Sequence, residues 1–115
     1  MTPVELKHRT KAFALRVTKL VEALPTTTVG RALGRQLVRS GTSVAANYRA
    51  ACRARSRAEF VAKIGVVEEE ADETMLWLEL LAESNTMPPD QLAPLLREAN
   101  ELTAIMAASR KTAKE

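Results

Sequence analysis

Four runs of apolar residues at helical spacing, divided by three short breaks, leave this chain few folds to choose from. In the first run Leu6, Phe13, Val17, Leu20 and Leu24 recur at steps of three, four or seven before Pro25 closes it. The second carries Val29, Leu33, Leu37, Ser40, Val44, Asn47 and Ala51, and the third Phe60, Ile64, Val67, Ala71, Thr74, Leu78 and Leu81. The third opens on Ser56-Arg57-Ala58-Glu59, the spacing of a capping box. The fourth starts near Pro89, a good first-turn residue, and carries Leu92, Leu95, Ala99, Leu102, Met106 and Ser109. These spacings predict helices over about 3–24, 28–55, 57–85 and 89–110.

The runs also align with one another. Antiparallel neighbours pair residues whose numbers have a constant sum. Leu33 with Leu78, Leu37 with Thr74, Val44 with Val67 and Ala51 with Phe60 satisfy that condition for the second and third runs. Leu81 with Leu92, Leu78 with Leu95, Ala71 with Leu102 and Val67 with Met106 do so for the third and fourth. Short connections force sequential helices to be neighbours, so the expected fold is all-α: an up-down-up-down antiparallel four-helix bundle, one domain over residues 1–115. An aromatic content of 3% and only 4 glycines in 115 residues argue against a β-sandwich or a disordered chain. Cys52 has no partner for a disulfide, and the amino terminus lacks the apolar core of a signal peptide. The longest apolar stretch, Met75 to Ala82, is broken by Glu79 and is too short for a membrane span. A soluble, cytoplasmic protein is expected.

Charge is divided unevenly along the chain. Residues 1–57 carry twelve Lys or Arg against two acids, and residues 58–115 carry five against twelve. At 100° per residue, Arg31, Arg35, Arg39, Arg49 and Arg53 fall within about 80° on the second helix, opposite its apolar stripe. Such a row suits a phosphate backbone or acids of the same protein. The third helix carries acids on its outer face and, beside the core, a stripe of Val66, Glu70, Glu73, Trp77 and Leu80. Arg39 and Glu73 stand at one level of the hairpin. An outward Trp and Leu flanked by acids marks a contact surface. Arg39, Arg49, Glu70, Glu73, Trp77 and Leu80 are therefore candidate oligomer-interface residues.

The middle of the second helix, Arg39 to Arg49, is polar and contains Gly41, which costs about 1 kcal/mol there relative to Ala. The favoured explanation is packing, with Ser40, Gly41 and Ala71 making room for Phe13. A phosphate nest is the weaker alternative, since Gly41 stands alone inside a helix. Asn47 is expected to fix register. Enzyme chemistry finds little support. The only His is His8, the second helix has no carboxylate for a diiron site, and Cys52 has no His nearby in sequence. No catalytic residue, metal or cofactor is expected.

Glu5 to Leu15, Gln36 to Ala51 with its Arg39-Ser40-Gly41-Thr42-Ser43-Val44-Ala45-Ala46-Asn47-Tyr48-Arg49 segment, Glu59-Phe60, Glu70 to Thr74 and Trp77 to Leu81 resemble the bacterial four-helix-bundle family encoded in intervening sequences of 23S ribosomal RNA genes. The resemblance spans nearly the whole chain. It implies a bundle that assembles into a ring, typically a homopentamer, with no known catalytic activity. A related branch, the accessory variability determinants of diversity-generating retroelements, implies a basic oligomer that binds nucleic acid and a reverse transcriptase. This chain departs from the family where it has Ala45 in place of Gly, Glu69 in place of Lys and Leu76 in place of an aromatic. Glu69 makes the third helix more acidic and turns attention from it as a nucleic-acid surface.

The expectation drawn from residues and resemblance together is a non-enzymatic homo-oligomer, pentameric, that binds RNA or DNA with low sequence specificity. The candidate nucleic-acid contacts are Lys7, Arg9, Lys11, Arg16, Lys19, Arg31, Arg35 and Arg53. The alternative is an oligomeric protein-interaction scaffold whose arginine stripe is used in ion pairs. The scarcity of aromatic side chains beside the basic residues argues against base stacking.

Overall fold

Each of the first three helices begins where a hydroxyl side chain accepts from the first turn. Thr2 Oγ1 accepts the Glu5 N–H at 3.1 Å, and the Glu5 carboxylate accepts the Thr2 N–H at 3.2 Å, completing a capping box. Thr27 Oγ1 accepts from the Gly30 N–H at 3.0 Å and Ser56 Oγ from the Glu59 N–H at 3.0 Å. The Glu59 carboxylate accepts from the Arg55 N–H at 3.0 Å, one residue before the position a capping box uses. A computed structural model describes all 115 residues. Its helices are α1 Pro3–Glu22, α2 Thr28–Ala51, α3 Arg57–Glu83 and α4 Pro89–Lys114.

The starts agree with the expected 3, 28, 57 and 89, while the ends move. α1 stops at Glu22, before residue 24. α2 stops at Ala51 rather than 55, because Ser56 needs extended backbone to cap α3 and the chain must leave the helix earlier to supply it. α3 ends at Glu83 in a Schellman turn, with Thr86 N–H bonded to Leu81 O and Asn85 N–H to Ala82 O. Asn85, at φ 58°, occupies the left-handed position that such a turn requires. α4 runs past 110 to Lys114.

Sequential helices pack side by side and α4 closes on α1 through a slight contact, with no packing across either diagonal. The molecule measures 45 × 20 × 19 Å, two helices wide in each direction. Phe13, Val17, Leu37, Val44, Ile64, Val67, Leu78, Leu81, Leu102 and Met106 are buried at its centre. Burying each large aliphatic side chain stabilises the fold by about 1.5–3 kcal/mol.

The α2 stripe is displaced from its expected position at both ends. Val29 is exposed and Gly30 buried; Asn47 is half-buried and Tyr48 lies in the core. Asn47 does not reach another helix, since its amide donates to Ser43 O at 2.9 Å and Ser43 Oγ at 2.7 Å. The buried polar contact between α2 and α3 joins Ser40 and Thr74, whose hydroxyls are hydrogen-bonded at 2.9 Å. Gly41 makes room for Val17, one turn beyond the expected Phe13: a Cβ at Gly41 would stand 2.8 Å from both Val17 methyl groups. Gly30 packs under the Pro25 carbonyl, where any Cβ would collide with backbone. These glycines let α2 lie close against α1 and the turn between them.

Candidate functional site

Helical geometry divides the five arginines expected on one face of α2. Arg39 turns toward α3, donating to Glu73 at 2.7 Å and Glu70 at 3.1 Å. Its guanidinium pKa is raised chiefly by the hydrogen bond to Glu73, which reinforces its charged form. Arg49 turns the other way. It is four and eight residues beyond Ala45 and Gly41, the small residues against which α1 lies, so it stands over α1. There it shares a groove of about 280 Å³ with Lys7, Lys11 and Thr42, floored by Ala14, Ala45 and Ala46. Arg31 and Arg35 line a second groove of about 290 Å³ at the opposite end of the α1/α2 face, together with Glu22, Gly34 and Val38. Arg53 lies in the turn after α2.

The remaining basic candidates of α1 occupy its other flank. Arg9 donates from Nε and Nη2 to both oxygens of Glu98, each at 2.7 Å, and lies 3.5 Å from Glu101. The hydrogen bond to Glu98 raises the Arg9 pKa, with burial opposing it. Arg16, two helical turns on, shares that α4-facing flank and, like Lys19, is exposed and without an ion pair. Five cations therefore share the α1/α2 face, Lys7, Lys11, Arg31, Arg35 and Arg49, all exposed and none in an ion pair. Sequence spacing groups Arg49 with the interface candidates, whereas the structure sets it beside Lys7 and Lys11. The spacing of Gly41, Ala45 and Arg49 was the available signal for its true side.

The other candidate residues gather on the α2/α3 face. Arg39, Glu70 and Glu73 form its polar centre. Toward the turn that follows α3, Val29, Ala32, Leu33 and Leu80 line an open apolar groove of about 500 Å³, with Glu83, Ser84 and Thr28 on its rim. Val29 and Leu80 are 48% and 37% exposed, so apolar surface there remains in water. Trp77, expected to point outward, is half-buried against the core and its Nε1 is buried with no hydrogen-bond partner. In the acidic run, Glu68 accepts from Arg110 at 2.9 Å, Glu70 is bound to Arg39, and Glu69 is exposed. No three His, Cys, Asp or Glu side chains converge as a metal site. No helix is long and apolar enough to cross a membrane.

The family described as 23S rRNA-intervening sequence protein matches residues 4–108. The chain belongs to that family. Its fold is close to that of a solved protein of unknown function from the S23 ribosomal protein family of Bacteroides thetaiotaomicron. The two chains are 30% identical and superpose with a TM-score of 0.87 over 96% of this chain and 99% of the other. No curated protein matches the sequence. Membership of the 23S rRNA-intervening sequence family agrees with the resemblance carried by the Arg39–Arg49 segment, whose residues serve both the Gly41 seam and the charged faces beside it.

Proposed function

We propose that this member of the 23S rRNA-intervening sequence family is a non-catalytic homo-oligomer, pentameric as the family resemblance implies, that binds the phosphate backbone of RNA or DNA with little sequence preference. The observation that carries this reading is the α1/α2 face. Lys7, Lys11, Arg31, Arg35 and Arg49 stand there without ion pairs, and Glu22 is the one acid beside them. Unpaired like charges repel one another, and a polyanion relieves that repulsion while releasing its counterions. Arg9 and Arg39, satisfied by carboxylates of their own chain, are left out of the binding surface. Arg53, in the turn after α2, extends this surface at one end, while Arg16 and Lys19 add exposed positive charge on the other flank of α1.

Self-assembly uses the α2/α3 face, where the Val29, Leu33 and Leu80 groove supplies apolar area beside Arg39, Glu70 and Glu73. A protein-interaction scaffold without nucleic-acid binding is the second reading, favoured by the two carboxylates that hold Arg39. In the family's related branch a reverse transcriptase is the protein partner, and here it would meet the assembled oligomer.

A titration with labelled RNA and DNA at several salt concentrations separates the two readings. Binding whose affinity falls as a power of salt supports the nucleic-acid surface. Absence of binding at low salt leaves the scaffold reading. Sedimentation at micromolar concentration checks assembly, with five 12.6 kDa chains expected and a monomer overturning it.

A further inference from the structure

The cations of the α1/α2 face are gathered at its two ends and absent from its middle. Lys7, Lys11 and Arg49 form one group and Arg31 and Arg35 the other. Arg35 and Arg49 are 14 residues apart and Arg31 and Arg49 are 18, which at 1.5 Å per residue separates the groups by about 21–27 Å along α2. Between Arg35 and Arg49 the only charged residue of α2 is Arg39, and it is turned to α3 by Glu70 and Glu73. The intervening surface is Val38, Thr42, Ala45 and Ala46. The Thr42 hydroxyl is occupied by its own helix, donating to Val38 O at 2.7 Å. This stretch of α2 thus carries no charge that faces outward over α1, and its one exposed hydroxyl has its proton committed to the helix, leaving no side-chain donor to read a base edge.

That spacing matches one dimension of a B-form duplex. A helical turn of about 34 Å is shared between grooves about 12 and 6 Å wide and two phosphate ribbons, which puts the rims of the major groove roughly 20 Å apart along the axis and those of the minor groove roughly 14 Å apart. We propose that the α1/α2 face lies along duplex DNA and bridges the major groove, with Lys7, Lys11 and Arg49 on the phosphates of one bounding strand and Arg31 and Arg35 on those of the other. The bare middle lies over the open groove without entering it. This inference rests on the nucleic-acid reading and adds to it a preferred form. An RNA duplex, whose major groove is narrow, does not offer the same pair of rims. A flexible single strand offers none. The first group is the stronger anchor, because Glu22 borders the second.

The test is a series of labelled DNA hairpins with stems of 4 and 12 base pairs, the matching 12-base-pair RNA hairpin and a single strand of the same length, each titrated at several salt concentrations. At 3.4 Å per base pair, a span of about 24 Å needs roughly seven base pairs, so only the longer stem reaches both groups. The slope of log affinity against log salt is expected to rise from about 2.7 for three neutralised phosphates to about 4.5 for five. The variant R31Q/R35Q brings the 12-base-pair slope down to that of the 4-base-pair stem and leaves the latter unchanged. Equal slopes for the two stems, an equal loss on both in the variant, or RNA and single strands binding like duplex DNA would overturn the bridge while keeping a basic nucleic-acid surface. Salt-independent or absent binding with every probe would remove the surface itself.

Discussion

Arg9 grips Glu98 with two parallel hydrogen bonds of 2.7 Å, and this pair, with Glu101 beside it, is the ionic contact between the first helix and the last. The pairing is well placed, with Arg9 and Glu98 side chains 25% and 15% exposed. Elsewhere the α1–α4 seam is slight. Arg9→Ala should therefore destabilise the bundle by about 1.5–2 kcal/mol, the low end of the range for hydrogen bonds to charged groups because the pair is partly exposed. Amide exchange should quicken in α1 more than in α3. Unfolding of Arg9→Ala, Glu98→Ala and the double variant measures the coupling, and strict additivity would show that the two residues act separately.

Gly41 offers the opposite kind of test, since adding one methyl group should be harmful. Ala is favoured over Gly within a helix by about 1 kcal/mol, yet a Cβ at Gly41 would meet two methyl groups of Val17 at 2.8 Å. Overpacking of a tight core costs about 1–3 kcal/mol, so Gly41→Ala should lower stability on balance. Val17→Ala in the same chain makes room and should recover part of the loss. Urea denaturation of the parent and these two variants decides it, and a stabilised Gly41→Ala would show that α1 yields easily.

Tyr48 is the only tyrosine, which makes its ionisation readable by absorbance near 295 nm. Burial raises its pKa above the ordinary value, and the neighbouring Cys52 thiol adds to the shift. The unfolded phenol ionises near pH 10. A raised folded value means that the neutral phenol's contribution is fully present below about pH 10 and is lost as pH rises from there through the folded value. The native chain should thus show no phenolate up to about pH 10.5, and its stability should fall more between pH 9 and pH 11 than that of Tyr48→Phe. A phenolate signal at the ordinary pH in the folded protein would contradict this.

For the apolar groove, Val29→Asp with Leu80→Asp should reduce the proposed oligomer to smaller species at micromolar concentration while leaving the helical circular dichroism intact. Both residues are substantially exposed, so the folded chain tolerates the charge. Sedimentation of the variant against the parent measures the effect. An unchanged assembly would place the interface on another face.

Much of the bundle is legible in the sequence because its apolar spacing is regular where two neighbours cover a helix. The α3 residues Ile64 through Leu81 and the α4 residues Leu92 through Met106 occupy the core as their spacing implies. The reading slipped in α2, where the side facing α1 is built from Gly30, Gly34 and Gly41 and carries little hydrophobicity to detect. Apolarity alone therefore favoured Val29 and missed Gly30. Spacing points to Asn47 where Tyr48 is buried, because a single step along a helix shifts a side chain by about 100°, enough to move it between core and edge. Arg39 and Arg49, ten residues and about 80° apart, share one stripe by spacing yet fall on opposite flanks of α2, over α3 and α1. Ion pairing was legible for Arg39 with Glu73, which share a level of a hairpin, and illegible for Arg9 with Glu98, which meet only when the ends of the chain close the bundle.

The Ser40–Thr74 contact also bears on which bundle forms. Four amphipathic helices rich in Leu, Val and Ala can slide against each other by a turn and still bury apolar side chains. Such a slip would separate two hydroxyls that are fully enclosed in the native packing, at about 0.5–1.5 kcal/mol for the lost hydrogen bond, because each also bonds a carbonyl of its own helix, Thr74 to Glu70 O at 2.8 Å and Ser40 to Leu37 O at 3.3 Å. A pair that adds little to stability thereby widens the energy gap between the native arrangement and its slipped competitors, acting as a key that one alignment of the hairpin fits.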